Sequence, residues 1–196
     1  MRLSFFLSFL LFLACNGTTK ELPILSYKID NKGAKVYYSI SYNGFVNQDN
    51  EVFDHNALDS KVYIANFFFT KCPSICPPMR NELIKIAEAF LNKDDFVLVS
   101  HTIDPSNDTV SVLNNYAKAT SIPKSKWQFV RASETQTMQL AKQYMTNFKL
   151  NNYGTDFYHS SYVALVDRTQ QIRGFYNVLN KEEVKRLKKD IFILID

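Results

Sequence analysis

The sequence has few residues that interrupt a folded chain. Its 196 residues include five glycines, six prolines and three cysteines, and 46% of them are hydrophobic. This composition excludes extended disorder over most of the chain and predicts a single domain with one ordinary core. The 23 basic and 19 acidic residues are spread along the chain. Because no basic block is long enough to follow a phosphate backbone, nucleic acid is excluded as a partner.

The N-terminal segment has the layout of a secretory signal. Arg2 precedes an apolar run, Leu3–Ala14, that is too short to span a bilayer. The small residue that ends this run predicts cleavage before Cys15, and the stretch resembles a bacterial lipoprotein signal in which this cysteine is lipidated. Phe12 and Leu13 depart from that pattern, which usually has leucine and a small residue there. Ordinary secretion and an uncleaved anchor remain alternatives.

The chain then divides into a polar tether and a folded body. Residues 1–14 are predicted as the signal peptide, residues 15–35 as the tether and residues 36–196 as the domain. Within residues 36–53, two strand-like segments predict a pair around Asn43 and Gly44, with a second turn at residues 48–50.

The rest of the body alternates strands with helices. Hydrophobic runs and helical periodicity predict strands at 61–70, 96–104, 127–130, 161–167 and 171–177, and helices at about 79–93, 109–119, 133–144 and 181–190. This order predicts an α/β domain with helices on both faces of one sheet, compatible with a thioredoxin-like core carrying extra elements.

Two cysteines stand where the first buried strand turns into a helix. Ligand chemistry in α/β sheets gathers beyond the carboxyl ends of strands, which is where Cys72 and Cys76 are expected. Pro77 and Pro78 suit the first turn of a helix, so Cys76 is placed at or near the helix N-terminus. The helix dipole and amides there are expected to lower its thiol pKa.

The spacing of these cysteines leaves three interpretations open: a disulfide, a redox couple or a metal site. Three residues separate them, one more than in typical thiol-disulfide oxidoreductases. Two thiolates can share one soft ion, copper(I) or zinc, but leave its coordination incomplete. Of the three histidines, His159 is best placed as a third ligand, because it directly precedes a strand that can return to the same end of the sheet.

Three stretches in this order, KCPSICPPM, TIDPSNDT and DFYHSS, resemble the Sco/SenC family of copper chaperones. The resemblance covers about residues 36–177. It implies a thioredoxin-like fold. Together with the strand and helix pattern, the fold expected is α/β, with a central mixed sheet flanked by helices and an additional N-terminal β-hairpin. The resemblance also implies copper ligands at Cys72, Cys76 and His159, with copper as Cu(I) and Cu(II) as a second state. Asp104 and Asp108 correspond to the family's acidic pair, which is connected with metal transfer or partner contact.

The resemblance further implies delivery of copper to the binuclear copper centre of cytochrome c oxidase. The partners expected are the copper-binding oxidase subunit and another periplasmic copper donor. With Cys15 lipidated, the protein is expected in the cell envelope, membrane-anchored and facing the periplasm.

Several alternatives accompany this interpretation. A thiol-disulfide reductase would use Cys72 and Cys76 to keep oxidase cysteines reduced, with little need of His159. A peroxidase is weaker because no arginine precedes Cys72 as a partner. His101 is interpreted as a packed histidine, and His55 carries no functional signal.

The acidic pair and Met79 also have purely structural interpretations. Asp104 can instead initiate a turn, with Asp108 or Thr109 capping the next helix. Met79, beside the cysteines, is interpreted as core packing.

Overall fold

A computed structural model describes residues 21–146, 149–150, 157–158 and 160–196, with only the backbone described at 149–150 and 157–158. Cys15 and His159 therefore lie outside the described residues. The strands and helices, in chain order, are β1 (Tyr27–Ile29), β2 (Lys35–Tyr37), β3 (Phe45–Asn47), β4 (Val52–Phe53), a 3₁₀ helix (His55–Leu58), β5 (Val62–Phe68), α1 (Cys76–Ala89), β6 (Phe96–Thr102), α2 (Val110–Lys118), β7 (Trp127–Arg131), α3 (Glu134–Gln143), β8 (Lys149–Leu150), β9 (Phe157–Tyr158), β10 (Tyr162–Val166), β11 (Ile172–Asn177) and α4 (Lys181–Ile195).

A mixed sheet of seven strands forms the centre of the domain. Its strand order is β11-β10-β5-β6-β7-β3-β4. The inner strands β5, β6 and β7 are parallel, whereas β10, β11, β3 and β4 each pair antiparallel with their neighbours. Because β5 and β6 are flanked by strands and covered on both faces, nearly all of their residues are buried. This arrangement confirms the predicted α/β class with a central mixed sheet.

Alternate residues of the inner strands supply two hydrophobic cores. One core joins Ile64 and Leu98 to apolar residues of α1, α2 and α4. The other joins Tyr63 and Val99 to the segment before β3 and to Leu140 of α3. Successive strand residues point to opposite faces, so β5 and β6 stabilise both layers at once.

The N-terminal part of the body differs from the prediction. β1 and β2 form an antiparallel hairpin joined by a turn at residues 30–33, and residues 27–35 of this hairpin belong to the segment predicted as a tether. This element confirms the additional N-terminal hairpin. The predicted pair around Asn43 and Gly44 is wrong, because β2 pairs with β1 and β3 pairs with β4 and β7.

The segment between β2 and β3 packs across a face of the sheet. The Ile40 amide donates to the Gln170 carbonyl, and the side chains of Ile40 and Tyr42 are buried. Burial of these side chains therefore takes the place of the predicted strand pairing. The predicted turn at residues 48–50 is confirmed as the connection between β3 and β4.

Candidate metal and dithiol site

The two cysteines lie at the carboxyl end of β5, as the sequence predicts. β5 ends at Phe68, a loop carries Cys72, and α1 begins at Cys76 itself. Both cysteine residues are largely buried: Cys72 is 7% exposed and Cys76 4%. The sulfurs are thus withdrawn from bulk water at the end of a parallel strand, where α/β proteins place their ligands.

The start of α1 directs a hydrogen bond onto Cys72. Pro77 and Pro78 have no N–H group, so Cys76 supplies an early amide donor of the helix. That amide donates to the Cys72 sulfur at 3.4 Å. Met79, the next residue with an N–H, donates instead to the Ile75 carbonyl at 3.2 Å. The helix N-terminus therefore acts on the sulfur of Cys72.

The pKa values of the two thiols move in opposite directions. Burial acts to raise the pKa of Cys72, but hydrogen bonds from the backbone amides of Cys76, Ser74 and Ile75 and from the Cys76 thiol together outweigh it and lower that pKa below its ordinary value. Burial raises the pKa of Cys76 well above its ordinary value, and its interactions with Cys72 add to this effect. The expectation of a lowered pKa at Cys76 is therefore wrong, and the lowered pKa belongs to Cys72.

A buried carboxylate joins the cysteine loop to the neighbouring strand. Asp108 is fully buried, and its carboxylate accepts hydrogen bonds from the Thr70 amide at 3.1 Å, the Thr70 hydroxyl and the Thr102 hydroxyl at 2.5 Å. Burial raises the pKa of Asp108, although these donors act to lower it. The carboxylate ties the start of the cysteine loop to the end of β6.

The other member of the acidic pair organises the turn that follows β6. Asp104 accepts from the side-chain amide of Asn107 at 2.9 Å, and its carbonyl accepts from the Asp108 amide. The cap of α2 is Thr109, whose hydroxyl accepts from Val112. Thr109 thus takes the capping position that the sequence left open between it and Asp108.

An arginine and a tyrosine beside the cysteines were not singled out in the sequence. Arg80 and Tyr116 line a small cavity with Cys76, and the Arg80 guanidinium lies 4.9 Å from the centre of the Tyr116 ring. Burial raises the pKa of Tyr116 to about 12, Arg80 lowers it, and the cysteines raise it. The spacing of Cys76 and Arg80, one helical turn apart, was the available signal.

The other sequence-predicted residues are packed as expected or lie outside the described part. Met79 is buried in the core, which confirms its packing role. Within the described residues, no group of three or more His, Cys, Asp or Glu side chains is arranged to hold a metal. The third ligand predicted from the sequence, His159, lies outside them, so its position at this site stays a prediction. No described helix combines the length and apolarity needed to cross a membrane.

The fold and this site define a thioredoxin-like protein with a dithiol at its strand-to-helix turn. The SCO1/SenC family matches residues 37–192 of the chain. An SCO2-like protein of Rickettsia typhi is 30% identical over 146 residues, which cover 71% of this chain and 70% of that protein. The chain therefore belongs to the SCO1/SenC family.

Solved structures of family members share the fold. A SCO1/SenC family lipoprotein from Bacillus anthracis matches with a TM-score of 0.73 at 22% identity, covering 88% of this chain and 98% of that one. BsSco, described as a Sco family cytochrome c oxidase assembly protein with a disulfide switch, matches with a TM-score of 0.70 at 23% identity, covering 80% and 93%. Arabidopsis thaliana ScoI, solved with copper bound, has a TM-score of 0.66 at 23% identity, covering 79% and 96%.

Proposed function

We propose that the chain is a copper chaperone that holds one copper ion through Cys72, Cys76 and His159. The observation that carries the proposal is the pair of buried sulfurs at the strand end, one of which, Cys72, has its pKa lowered by nearby backbone amides. Thiolates are soft ligands that select copper(I). Family members with copper bound support copper as the cargo.

The proposed acceptor is the binuclear copper centre of cytochrome c oxidase, with another periplasmic copper donor upstream. The description of BsSco as an oxidase assembly protein supports this assignment. In this proposal, Asp104 and Asp108 support transfer by holding the loops around the cysteines and are not ligands. Their hydrogen bonds to Asn107, Thr70 and Thr102 support that role.

The proposed location is the cell envelope, with the domain facing the periplasm and Cys15 lipidated after removal of residues 1–14. The apolar run ahead of this cysteine and the description of the Bacillus anthracis relative as a lipoprotein support an anchor. Fatty-acid labelling of the wild type tests it, with Cys15→Ser as the matched variant. Label on the wild type alone supports the anchor, and label on neither protein contradicts it.

Copper(I) titration of the full chain against a competing chelator, without oxygen and with reductant, tests the chaperone function. We expect one tightly bound copper in the wild type and at least about tenfold weaker binding in His159→Ala, because a ligand is lost. His55→Ala is the matched control, since His55 is an exposed histidine on the 3₁₀ helix. Weak binding that does not depend on His159 would contradict the proposal.

The opposite pKa directions of the two thiols favour a second function, that of a thiol-disulfide reductase. The Cys72 thiolate would attack a substrate disulfide and form a mixed disulfide, expelling one substrate thiolate. The Cys76 sulfur, once deprotonated, would then attack Cys72, releasing the second substrate thiolate and leaving a Cys72–Cys76 disulfide. His159→Ala separates the two functions, because it should weaken copper binding and leave disulfide exchange unchanged.

A further inference from the structure

The hairpin of β1 and β2 presents large apolar side chains to solvent. Every residue from Lys28 to Tyr37 is exposed. Ile29 is 59% exposed, Val36 54% and Tyr37 49%. Single exposed apolar residues are common on protein surfaces, but a group of them on one short element marks a contact surface. The hairpin is therefore a candidate docking element.

The strand register gives the hairpin two different faces. Tyr27 pairs with Tyr37 and Ile29 pairs with Lys35, so these four side chains share one face, here named the tyrosine face. The Lys35 ammonium lies 4.3 Å from the centre of the Tyr27 ring. Amphipathic tyrosines beside an aliphatic and a basic residue are the composition that proteins use at a membrane–water interface.

The opposite face of the hairpin carries Lys28 and Val36. The Lys28 ammonium lies over the ring of Tyr38, a part-buried residue that follows β2. Val36 therefore provides a built-in comparison with Ile29, because the two residues have similar exposure and lie on opposite faces of one hairpin.

The chain leading into the hairpin is fixed to the body at the end of the sheet away from the cysteines. The Leu22 carbonyl accepts from the Arg173 guanidinium at 3.0 Å, and the Leu25 amide donates to the Ile172 carbonyl at 2.7 Å. Ile172 pairs with Val166, which in turn pairs with Tyr63 near the start of β5. The hairpin is thus rooted opposite the end of β5 that leads to the cysteines.

The distance along the chain from Cys15 to this root is short. Leu22 is the seventh residue after Cys15, so the two can be at most about 25 Å apart when the chain between them is fully extended. An anchor at Cys15 would therefore keep the root of the hairpin close to the bilayer surface.

We propose that the tyrosine face of the hairpin lies on an anionic phospholipid surface and orients the domain. The inference rests on the proposed anchor, which supplies the proximity. Three lysines at positions 28, 32 and 35 against one aspartate, Asp30, give the hairpin a net charge of +2, which complements an anionic surface. The cysteine end of β5, a strand of seven residues, then lies up to about 20 Å further from the bilayer than the start of that strand, accessible to a soluble or membrane-bound acceptor.

Lysine footprinting of the full lipidated protein on vesicles tests the proposal. The vesicles contain phosphatidylcholine alone or with phosphatidylglycerol. A water-soluble, amine-reactive reagent labels the exposed lysines, and the extent of labelling is measured by mass spectrometry. We expect modification of Lys35 and Lys32 to fall about fivefold or more on the anionic vesicles, with Lys71 at the cysteine end unchanged. High salt should remove the protection, because it screens the surface charge.

Two variants separate a membrane contact from a general change in the hairpin. Ile29→Ser removes an apolar side chain of the tyrosine face and should reduce the protection of Lys35. Val36→Ser makes the same kind of change on the opposite face and should leave that protection intact. Equal effects of the two variants would overturn the assigned face.

Flotation of the same samples distinguishes the absence of the lipid anchor from the absence of the hairpin contact. A protein that floats with both kinds of vesicle but shows no protection of Lys35 retains its anchor and overturns the hairpin contact. A protein that floats only with anionic vesicles lacks the anchor, and protection of Lys35 there supports the contact. Protection that requires an added oxidase subunit would assign the tyrosine face to a protein partner and overturn the proposal.

Discussion

The two faces of the sheet bury titratable groups at the same end, yet they arrange them for different purposes. On one face, the cysteine face, an amide of α1 donates to the Cys72 sulfur. On the other, the histidine face, His101 is fully buried against the rings of Tyr42, Phe67 and Tyr144. The His101 Nδ1 lies 2.9 Å from the Asn66 carbonyl, and its Nε2 lies 3.0 Å from the Tyr42 hydroxyl.

The histidine face holds its imidazole neutral. A carbonyl oxygen can only accept, so Nδ1 carries the proton and Nε2 accepts from Tyr42. Burial lowers the pKa of His101 to about 4, while the hydrogen bond to Asn66 acts in the opposite direction. A lowered pKa thus accompanies a packing role at His101, whereas the lowered pKa of Cys72 accompanies donors directed at its sulfur. The direction of the hydrogen-bond donors therefore distinguishes the two groups better than the presence of a pKa shift.

The largest expected difference between the two faces is a loss of stability at acidic pH, which is caused by protonation of His101 on the histidine face. The folded pKa of about 4 lies below the ordinary value of 6.5, so the unfolded chain binds the proton more tightly. Above pH 6.5 His101 is neutral in the folded and unfolded chain and does not lower the free energy of unfolding. As the pH falls from 6.5 towards 4, this free energy decreases by about 3 kcal/mol.

Urea unfolding of the wild type and His101→Gln across this pH range measures the loss. Because the carboxylates titrate in both proteins, the difference between the two slopes isolates the histidine. The variant should bind copper(I) as tightly as the wild type at pH 7. Parallel stability profiles, or weakened copper binding in the variant, would contradict a purely structural role for His101.

The second effect concerns the acidic pair on the cysteine face. Asp108→Ala leaves the Thr70 amide and two hydroxyls without their acceptor and should cost about 2 kcal/mol in the free energy of unfolding. Asp104→Ala, the matched change, should cost less than about 1 kcal/mol, because its carboxylate holds a more exposed asparagine. Only the Asp108 variant is expected to weaken copper binding. Equal costs would show that Asp108 does not hold the loop as described.

The third effect is a difference in reactivity between the two thiols. In single-cysteine variants that also carry Cys15→Ser, Cys72 should react with a small thiol reagent about tenfold or more faster than Cys76 at pH 7. The reason is that helix amides lower the pKa of Cys72, whereas burial raises that of Cys76. Rates measured against pH should rise for Cys72 at lower pH than for Cys76. Identical pH profiles for the two thiols would contradict the opposite directions of their pKa shifts.

The smallest effect is expected from a single hydroxyl on the histidine face. Tyr42→Phe removes the donor to His101 and the contact of 2.8 Å with the Tyr144 hydroxyl. This should cost about 1 kcal/mol of stability at pH 7, with no change in thiol reactivity. A change in the reactivity of Cys72 would show that the two faces communicate through the sheet.

Much of the fold follows from local patterns in the sequence. The apolar runs at 61–70 and 96–104 correspond to β5 and β6, and helical spacing located α1, α2, α3 and α4, with α4 extending five residues beyond its predicted end. The turn that carries Cys72 and Cys76 was also predicted, because a buried strand leads directly into it. These features depend on period and composition within one segment.

Features that depend on distant contacts were not predictable in the same way. The strands of the N-terminal hairpin are three residues each, too short for a hydrophobic period to stand out, and residues 15–35 were assigned to a tether instead. β3 pairs with β7, a strand that lies far along the chain. The assignment of the lowered pKa to Cys72 depends on where one amide points, which composition does not specify.

X-ray absorption at the copper edge, on the copper(I)-loaded full chain, tests the central proposal most directly. We expect two sulfur neighbours and one nitrogen neighbour around a single copper in the wild type, with the nitrogen lost in His159→Ala and retained in His101→Gln. Copper with no sulfur neighbours, or a nitrogen neighbour that survives the removal of His159, would contradict the proposed site.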